Sequence, residues 1–225
     1  METFFEGRPS DSPYIEMVWH GRTGSHYTPT CPADVNWNLL FQRYHGKVKI
    51  SVEGPLSQAK YKELPEGVEW LVIKFRLGVF VPSLNIENLT NGDIFLPDAT
   101  HQSFWLHSTT WPMPDYENAE TFVERLVRDE TLVTDPVVRA VLCDHPLDLS
   151  FRTVRRRFLR ATGLTHHTIQ QIQRAHYASR LLGRGVSILD AVYEAGYADQ
   201  PHMTRSLKRF IGQTPAQIAR VAGVE

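Results

Sequence analysis

The segment SILDAVYEAGYADQPHMTRSLKR, residues 187–209, constrains the fold more than any other part of the chain. Ser187 followed by Asp190 is a capping pattern that predicts the start of a helix. Apolar residues then recur at helical spacing and form one stripe, Ile188, Ala191, Val192 and Ala195. Gly196 follows, and its permissive backbone predicts a tight turn at the end of this helix.

A second helix begins directly after the turn. Asp199 is a typical N-cap residue, and Pro201 is tolerated in a first helical turn. The apolar residues predicted to point inward are Met203, Leu207, Phe210 and Ile211. The residues left on the outer face carry groups that recognise base edges and bind phosphates: Gln200, His202, Thr204, Arg205, Lys208 and Arg209. The segment is therefore predicted to be a helix-turn-helix.

A second and less regular copy of this pattern lies upstream. Asp135-Pro136 predicts a short helix with Val138, Val141 and Leu142 on its apolar face, and a break at 145–148 follows. The next predicted helix, Ser150–Ala161, has an apolar face formed by Phe151, Val154, Phe158 and Ala161. Its other positions are Arg152, Thr153, Arg155, Arg156, Arg157 and Arg160. No acidic residue within this helix offsets the arginines, which favours a phosphate-facing surface over a merely solvated one.

The two blocks LSFRTVRRRFLRATGLT and SILDAVYEAGYADQPHMTRSLKRFIGQTPAQI resemble the DNA-binding domain of the AraC/XylS family of transcription regulators. The first block departs from the family pattern because its leading helix is short and Pro146 interrupts the approach. The resemblance implies a double helix-turn-helix, with a linking helix predicted at 165–182. The residues that it places at DNA-contacting positions are Arg152, Arg155, Arg156, Gln200, His202, Thr204 and Arg205. Thr153, Arg157, Lys208 and Arg209 lie on the same predicted surfaces.

Charge is distributed unevenly along the chain. Residues 148–225 contain 12 Lys and Arg against 5 Asp and Glu, whereas residues 1–147 contain 12 against 20. This asymmetry predicts a basic nucleic-acid-binding module joined to an acidic one. Cys31 and Cys143 form no CxxC motif, the N-terminal residues do not resemble a secretory signal, and no apolar run approaches the ~20 residues of a membrane helix. We therefore expect a cytoplasmic protein without membrane association.

The first ~110 residues show the alternation typical of β-strands. Strands are predicted around 15–20, 35–41, 48–52, 70–75 and 94–96, with Gly- and Pro-containing turns between them. The predicted fold class is thus an α+β two-domain protein, in which a small β-barrel or cupin-like domain precedes an all-α double helix-turn-helix domain. The predicted bounds are 1–112 for the β domain, 113–133 for a helical linker and 134–225 for the DNA-binding domain.

All five tryptophans lie in the first half of the chain. They are interpreted either as aromatic core or as the lining of an apolar pocket inside a small barrel. The family resemblance, supported more weakly by TCPADVNWNLLF and FRLGVFVPSL, implies an effector-sensing domain here. The predicted ligand is small and apolar or aromatic. Its candidate contacts are Trp19, Trp37, Trp70, Phe75, Phe80 and Trp105.

Two other kinds of site are less favoured. His20, His26 and Cys31 could ligate a metal, but their spacing matches no zinc motif. Ser12, His20 and Asp34 lack the local motifs of a hydrolase. An enzyme-like or metal-binding barrel with a DNA-binding tail therefore stays the alternative to a regulator that is not an enzyme and needs no cofactor. Expected partners are double-stranded DNA and the effector, with RNA polymerase as a candidate and a monomer or homodimer as the assembly.

Overall fold

The computed structural model describes residues 3–221, which form a β-rich N-terminal part followed by a helical C-terminal part. The strands are β1 Phe4–Pro9, β2 Ile15–Arg22, β3 Thr30–Cys31, β4 Asn38–Tyr44, β5 Lys47–Glu53, β6 Lys60–Tyr61, β7 Glu69–Phe75, β8 Val79–Phe80, β9 Asp93–Phe95, β10 Ser103–Leu106, β11 Thr109–Pro112 and β12 Val133–Thr134. The helices are α1 Ala119–Arg128, α2 Pro136–Leu142, α3 Phe151–Thr162, α4 His166–Gly183, α5 Ile188–Glu194, α6 Gln200–Phe210 and α7 Pro215–Val221. A short 3-10 helix lies at Ile86–Leu89. This order confirms the predicted α+β class.

Six strands form one antiparallel sheet in the order β1-β2-β7-β4-β5-β9. Its central strands carry fully buried side chains, among them Ile15, Val18, Ile50 and Ile73. Burial alternates along β7, as expected for a strand with one face in the core, whereas three consecutive residues are buried in both β4 and β5, so both faces are covered there. The pairings between described residues do not join β1 to β9, so this sheet has two edges. Each of the five predicted strands corresponds to a strand of this sheet, although β4 begins at Asn38 and not at 35. The sequence did not predict β1, β10, β11 or the two-residue strands.

Helix α1 packs its apolar face into the aromatic core of the β-rich part. The ring of Phe122 meets Phe41 and Trp111 edge-on, each at 6.3 Å between centroids. On the other side of the helix, the Arg8 guanidinium contacts both carboxylate oxygens of Glu120 at 2.5 and 2.7 Å. This contact holds the pKa of Glu120 at about 2, well below its ordinary value of 4.5. The predicted helix at the end of the β-rich part is therefore present and is tied to its core.

The chain divides into two compact units. The first, here called the β-rich unit, takes in the described parts of Met1–Thr28, Asn36–Pro55 and Glu63–Thr165. The second, here called the helical unit, takes in those of Pro29–Val35, Leu56–Lys62 and His166–Glu225. Helix α3 belongs to the β-rich unit, and two short segments from the N-terminal half belong to the helical unit. This division differs from the predicted bounds, which the chain order alone suggested.

The helix starts follow the predicted capping chemistry. Ser150 accepts a hydrogen bond from the backbone N–H of Thr153 at 3.2 Å. Ser187 accepts one from the N–H of Asp190 at 3.2 Å and donates its hydroxyl to that carboxylate at 2.6 Å. Each cap satisfies a backbone group that the first helical turn leaves without a partner. The helix boundaries predicted from these residues are therefore confirmed.

Candidate nucleic-acid interface and effector cavity

Helix α6 has one fully buried face and one polar, solvent-exposed face. Asp199 caps its start by accepting a hydrogen bond from the N–H of His202 at 2.6 Å, and Gly196 takes the left-handed conformation of the preceding turn with φ +68°. The predicted inward residues are all buried: Met203, Leu207, Phe210 and Ile211. The predicted outward residues are exposed, apart from the half-buried Thr204: Gln200, His202, Arg205, Lys208 and Arg209. These donors and acceptors are available to an external partner.

The C-terminal end of α6 is held by the two upstream segments of the helical unit. The N–H of Ala33 donates to the carbonyl of Phe210 at 2.6 Å, and the N–H of Ala59 donates to the carbonyl of Arg209 at 2.8 Å. The Nε2 atom of His176 on α4 lies 2.7 Å from the carbonyl oxygen of Ala33. The two contacts from Ala33 and Ala59 satisfy carbonyls that a helix end otherwise leaves open, and the contact with His176 ties the Ala33 segment to α4. Sequence reasoning missed them because no local pattern links residues so far apart in the chain.

A groove of about 330 Å³ runs between α4 and α6 within the helical unit. One wall comes from α4 and the other from the exposed side of α6 with Tyr197. The Tyr197 hydroxyl is hydrogen-bonded to Ser206 Oγ at 2.9 Å, and burial raises the pKa of this phenol. Arg205, a predicted base-contacting residue, lines this groove, so the groove adjoins the predicted DNA-contacting surface of α6.

Helix α3 exposes three of its predicted DNA-contacting arginines, Arg152, Arg155 and Arg156, while Thr153 is half-buried. The Thr153 hydroxyl lies 2.9 Å from that of Ser150, at the capped start of the helix. The exposed guanidinium groups are placed to meet phosphate or base acceptors. Contact between this surface and DNA stays a prediction from the sequence.

Two further arginines of α3 have partners inside the protein. Arg157 donates to both carboxylate oxygens of Asp135 at 2.7 and 3.0 Å, and this raises the pKa of the guanidinium. Arg160 lies 5.7 Å from the centroid of the Phe80 ring and donates to the carbonyl of Pro82 at 3.3 Å. The expectation that all five arginines need an external anion was therefore wrong for Arg157, whereas the contacts of Arg160 are with a ring and a carbonyl, which do not neutralise its charge. The partners of both side chains are outside the helix, where spacing within α3 could not show them.

The apolar face of α3 also differs from the prediction. Phe158 and Ala161 are buried, but Phe151 is 83% exposed. Phe151 is the first residue of the helix, where the chain has just entered from the Ser150 cap. A position at helical spacing is buried only where a neighbouring element covers it, and at this end of α3 nothing does among the described residues.

A cavity of about 350 Å³ lies within the β-rich unit. Its apolar lining consists of Phe4, Phe41, Val48, Trp70, Leu71, Met113 and Pro114. Polar groups stand beside it: Glu69 lies between Arg22 and Arg43 at 3.7 and 3.6 Å, and His20 is stacked on Tyr116 at 4.0 Å between centroids. An apolar cavity with a few polar groups at fixed positions is typical of small-molecule sites.

The six residues predicted to contact a ligand are not gathered around this cavity. Trp70 lines it. Trp37 is buried, stacks on Phe75 at 4.1 Å between centroids and donates its indole N–H to the carbonyl of Val79. Phe80 is also buried, Trp19 is half-buried and Trp105 is exposed. Trp37 and Phe75 thus fill the core, while Phe41, Leu71 and Met113 are cavity residues that sequence reasoning missed.

The candidate metal ligands have other contacts. His20 lies between the rings of Phe4 and Tyr116, and its Nε2 is 3.5 Å from Glu6. His26 lies 3.4 Å from the Thr28 hydroxyl, and Cys31 is not part of a disulfide. Across residues 3–221, no group of three His, Cys, Asp or Glu side chains is arranged to hold a metal ion. Nor is any helix in this range long and apolar enough to cross a membrane.

Comparison with known proteins gives one family match and distant likenesses to three solved chains, among them the following two. The chain is similar to ToxT from Vibrio cholerae O395, with 11% identity, a TM-score of 0.41 and coverage of 97% of this chain and 98% of that one. It is similar to an apo ToxT variant from Vibrio cholerae strain SCE256, with 9% identity, a TM-score of 0.42 and coverage of 95% and 99%. No curated protein sequence matches the chain. Residues 146–220 match a helix-turn-helix domain family, which confirms the predicted AraC-type domain.

Proposed function

We propose a division of roles within this DNA-binding transcription regulator, whose residues 146–220 are a helix-turn-helix domain of the AraC type. The helical domain recognises a specific DNA sequence, and the N-terminal β domain binds a small apolar or aromatic effector. The observation that supports DNA recognition is the burial pattern of α6. Its apolar face is completely buried, while Gln200, His202 and Arg205, which lie within the residues of the family match, are exposed. These are the side-chain types that pair with base edges in the major groove.

The two predicted DNA-contacting helices have different surfaces, and their DNA half-sites should therefore differ in sequence. The free face of α3 offers the guanidinium groups of Arg152, Arg155 and Arg156, whereas α6 offers amide, imidazole and hydroxyl groups as well. A selection from randomised duplexes with the intact chain tests this proposal. We expect two unlike half-sites, and enrichment of a short palindrome that requires two chains would contradict it.

The cavity of the β-rich unit supports the effector-binding role. Its lining offers an aromatic and aliphatic surface, and a ligand that binds the folded state must stabilise that state, by about 2.7 kcal/mol at a hundredfold excess over Kd. All five tryptophans lie in this unit, so their emission reports on it alone. To regulate, the effector must also favour one arrangement of the protein over another.

Titration of the intact protein with a panel of hydrophobic metabolites tests the cavity. At least one compound class should shift tryptophan emission and Tm together and change DNA affinity. Trp70→Phe should remove most of the emission change, because Trp70 lines the cavity, whereas the exposed Trp105 provides a control in Trp105→Phe. An emission change that survives Trp70→Phe and disappears in Trp105→Phe would place the ligand elsewhere.

The remaining features of the proposal follow from the sequence. The sensing domain would span 1–112, the linker 113–133 and the DNA-binding domain 134–225. Neither Cys31 nor Cys143 is part of a disulfide, which suits a reducing cytoplasm. RNA polymerase is the partner proposed for transcriptional control, and the chain would act as a monomer or homodimer.

A further inference from the structure

We propose that the groove between α4 and α6 binds DNA phosphates, so that α4 contributes to the DNA interface together with α6. This inference rests on the DNA-binding function proposed above and extends it to residues that neither the family match nor the predicted recognition surfaces assign. The groove has a volume of about 330 Å³ and lies entirely within the helical unit.

The α4 wall is polar over its whole length. Four residues at helical spacing i, i+3, i+4 and i+7 line the groove from this side: His167, Gln170, Gln171 and Arg174. On the opposite side of this stretch, Ile169, Ile172 and Ala175 are buried and attach α4 to the core. The polar stripe is thus a fixed surface on a long, well-packed helix.

The α6 wall has the same spacing and the same chemistry. His202, Arg205 and Arg209 face the groove together with Ser206. Three arginines and two histidines therefore line one concavity, and its lining includes no aspartate or glutamate. Confined guanidinium groups repel one another unless an anion binds between them, and a concave surface strengthens the attraction for that anion.

Two of the arginines are oriented by aromatic rings before any ligand binds. The Arg174 guanidinium carbon lies 5.7 Å from the centroid of Tyr197, whose hydroxyl is fixed by its hydrogen bond to Ser206. The Arg209 guanidinium carbon lies 4.9 Å from the centroid of Phe210. Cation–π contacts leave the edge N–H groups of a guanidinium free to donate. Both side chains can therefore bind phosphate with less loss of conformational entropy than freely rotating ones.

Arg205 connects the groove to the base-contacting surface. It lines the groove and is also the residue placed by the family resemblance at a base-contacting position. A duplex bound at α6 therefore brings its backbone towards α4, and phosphate is the anion that occurs there at regular spacing. A small phosphorylated molecule has the same chemistry, so the experiment must separate the two sources.

The test compares Arg174→Gln with wild type in the intact protein. We expect the slope of log K against log salt to fall by about one unit, so that the loss of affinity between 50 and 200 mM salt becomes about threefold smaller. The change should be equal on specific and random duplexes, and the selected base preference should be retained. Arg180→Gln on the same helix is the matched control, because Arg180 lies over Tyr177 and does not line the groove.

Melting curves of both variants establish that they are folded. An unchanged salt slope in a folded Arg174→Gln protein that still binds its site would overturn the groove proposal and leave the DNA-binding function intact. Absence of DNA binding by wild type would instead overturn the proposed function. Titration with inorganic phosphate and pyrophosphate then distinguishes DNA phosphate from a small anion as the ligand of the groove. If these anions bind wild type and not Arg174→Gln while the DNA salt slope is unchanged, the groove takes a small anion, and the proposal is wrong.

Discussion

Helices α3 and α6 have the same sequence pattern, a capped start, an apolar face and a basic outer face, yet they are integrated into the protein differently. In α6 the whole apolar face is buried and the outer polar residues are exposed. In α3 the first apolar residue is exposed and two of the basic residues are bound within the β-rich unit. The number of arginines on a helix therefore does not give the number available to DNA.

The ends of the two helices differ as well. α3 ends locally, at Gly163 with φ +73°, and the Thr90 hydroxyl donates to the carbonyl of Gly163 at 2.9 Å. α6 also has a local glycine cap, at Gly212 with φ +83°, but its last carbonyls accept in addition from the backbone N–H groups of Ala33 and Ala59, which come from segments more than a hundred residues upstream. A glycine C-cap is visible in a sequence, whereas a cap supplied by a distant segment is not.

The largest expected difference between the two helices concerns their apolar faces. Leu207→Ala in α6 removes a fully buried side chain and should lower the free energy of unfolding by about 2–5 kcal/mol. Phe151→Ala in α3 removes an 83% exposed ring and should change it by less than about 0.5 kcal/mol. Chemical denaturation followed by far-UV circular dichroism measures both. Equal costs would show that Phe151 is covered in solution and that the two helices are alike after all.

The next prediction concerns base recognition by α6. Arg205→Ala should cost about 1–3 kcal/mol at the specific site and relax the preference at one or two base pairs. Arg220→Ala on α7 is a control for the loss of one exposed positive charge on the same unit. Selection from randomised duplexes, followed by titration on specific and random DNA, gives both quantities. An unchanged base preference in Arg205→Ala would contradict the proposal that α6 is a base-contacting helix.

Within α3, Arg157, which is paired with Asp135, and Arg155, which is exposed, should differ in their effects on stability and on DNA binding. Arg157→Ala breaks a partly exposed ion pair with the residue that caps α2, and should lower the free energy of unfolding by about 0.5–1 kcal/mol. Arg155→Ala should leave stability within about 0.5 kcal/mol and lower the DNA salt slope by about one unit. Thermal melts of both variants measure the change in stability, and salt titrations of DNA binding measure the change in salt slope. If Arg157→Ala lowers the salt slope as much as Arg155→Ala, the contact with Asp135 must open when DNA binds.

Much of this architecture was predictable because local chemistry encodes it. Ser150, Ser187 and Asp199 set helix starts through their own side chains, and the apolar periodicity of 203–211 matched a face that is covered along its whole length. What escaped prediction depends on residues distant in sequence. The partner of Arg157 is 22 positions upstream, and Trp37 proves to be core because it stacks on Phe75.

The candidate sites show the same limit. Five of the six predicted ligand contacts lie outside the cavity because aromatic composition does not reveal which strand face is covered. Phe41 and Leu71 line it from neighbouring strands, where they are partners in the β4–β7 register. Likewise, the polar stripe of α4 from His167 to Arg174 lies within a predicted linking helix. It becomes a candidate binding surface only through the groove that it forms with α6.

The smallest expected effect is a pH dependence confined to the unit that holds α3. Glu120 has a folded-state pKa of about 2, depressed chiefly by hydrogen bonds from Arg8, against an ordinary value of 4.5. A depressed carboxyl pKa contributes stability that is complete above about pH 4.5 and is lost as the pH falls through about 2. Because the pair is partly exposed, Glu120→Gln should lower the free energy of unfolding by about 1 kcal/mol or less at pH 7.

The difference in the free energy of unfolding between Glu120→Gln and wild type should shrink between about pH 4.5 and 2. Tryptophan emission measures it, since all five tryptophans lie in the β-rich unit. Local unfolding of the helical unit, followed in both proteins by hydrogen exchange of the α6 backbone amides, should show no difference between them. A difference that stays constant down to pH 2 would mean that packing around α1, and not the charge of Glu120, makes the contribution.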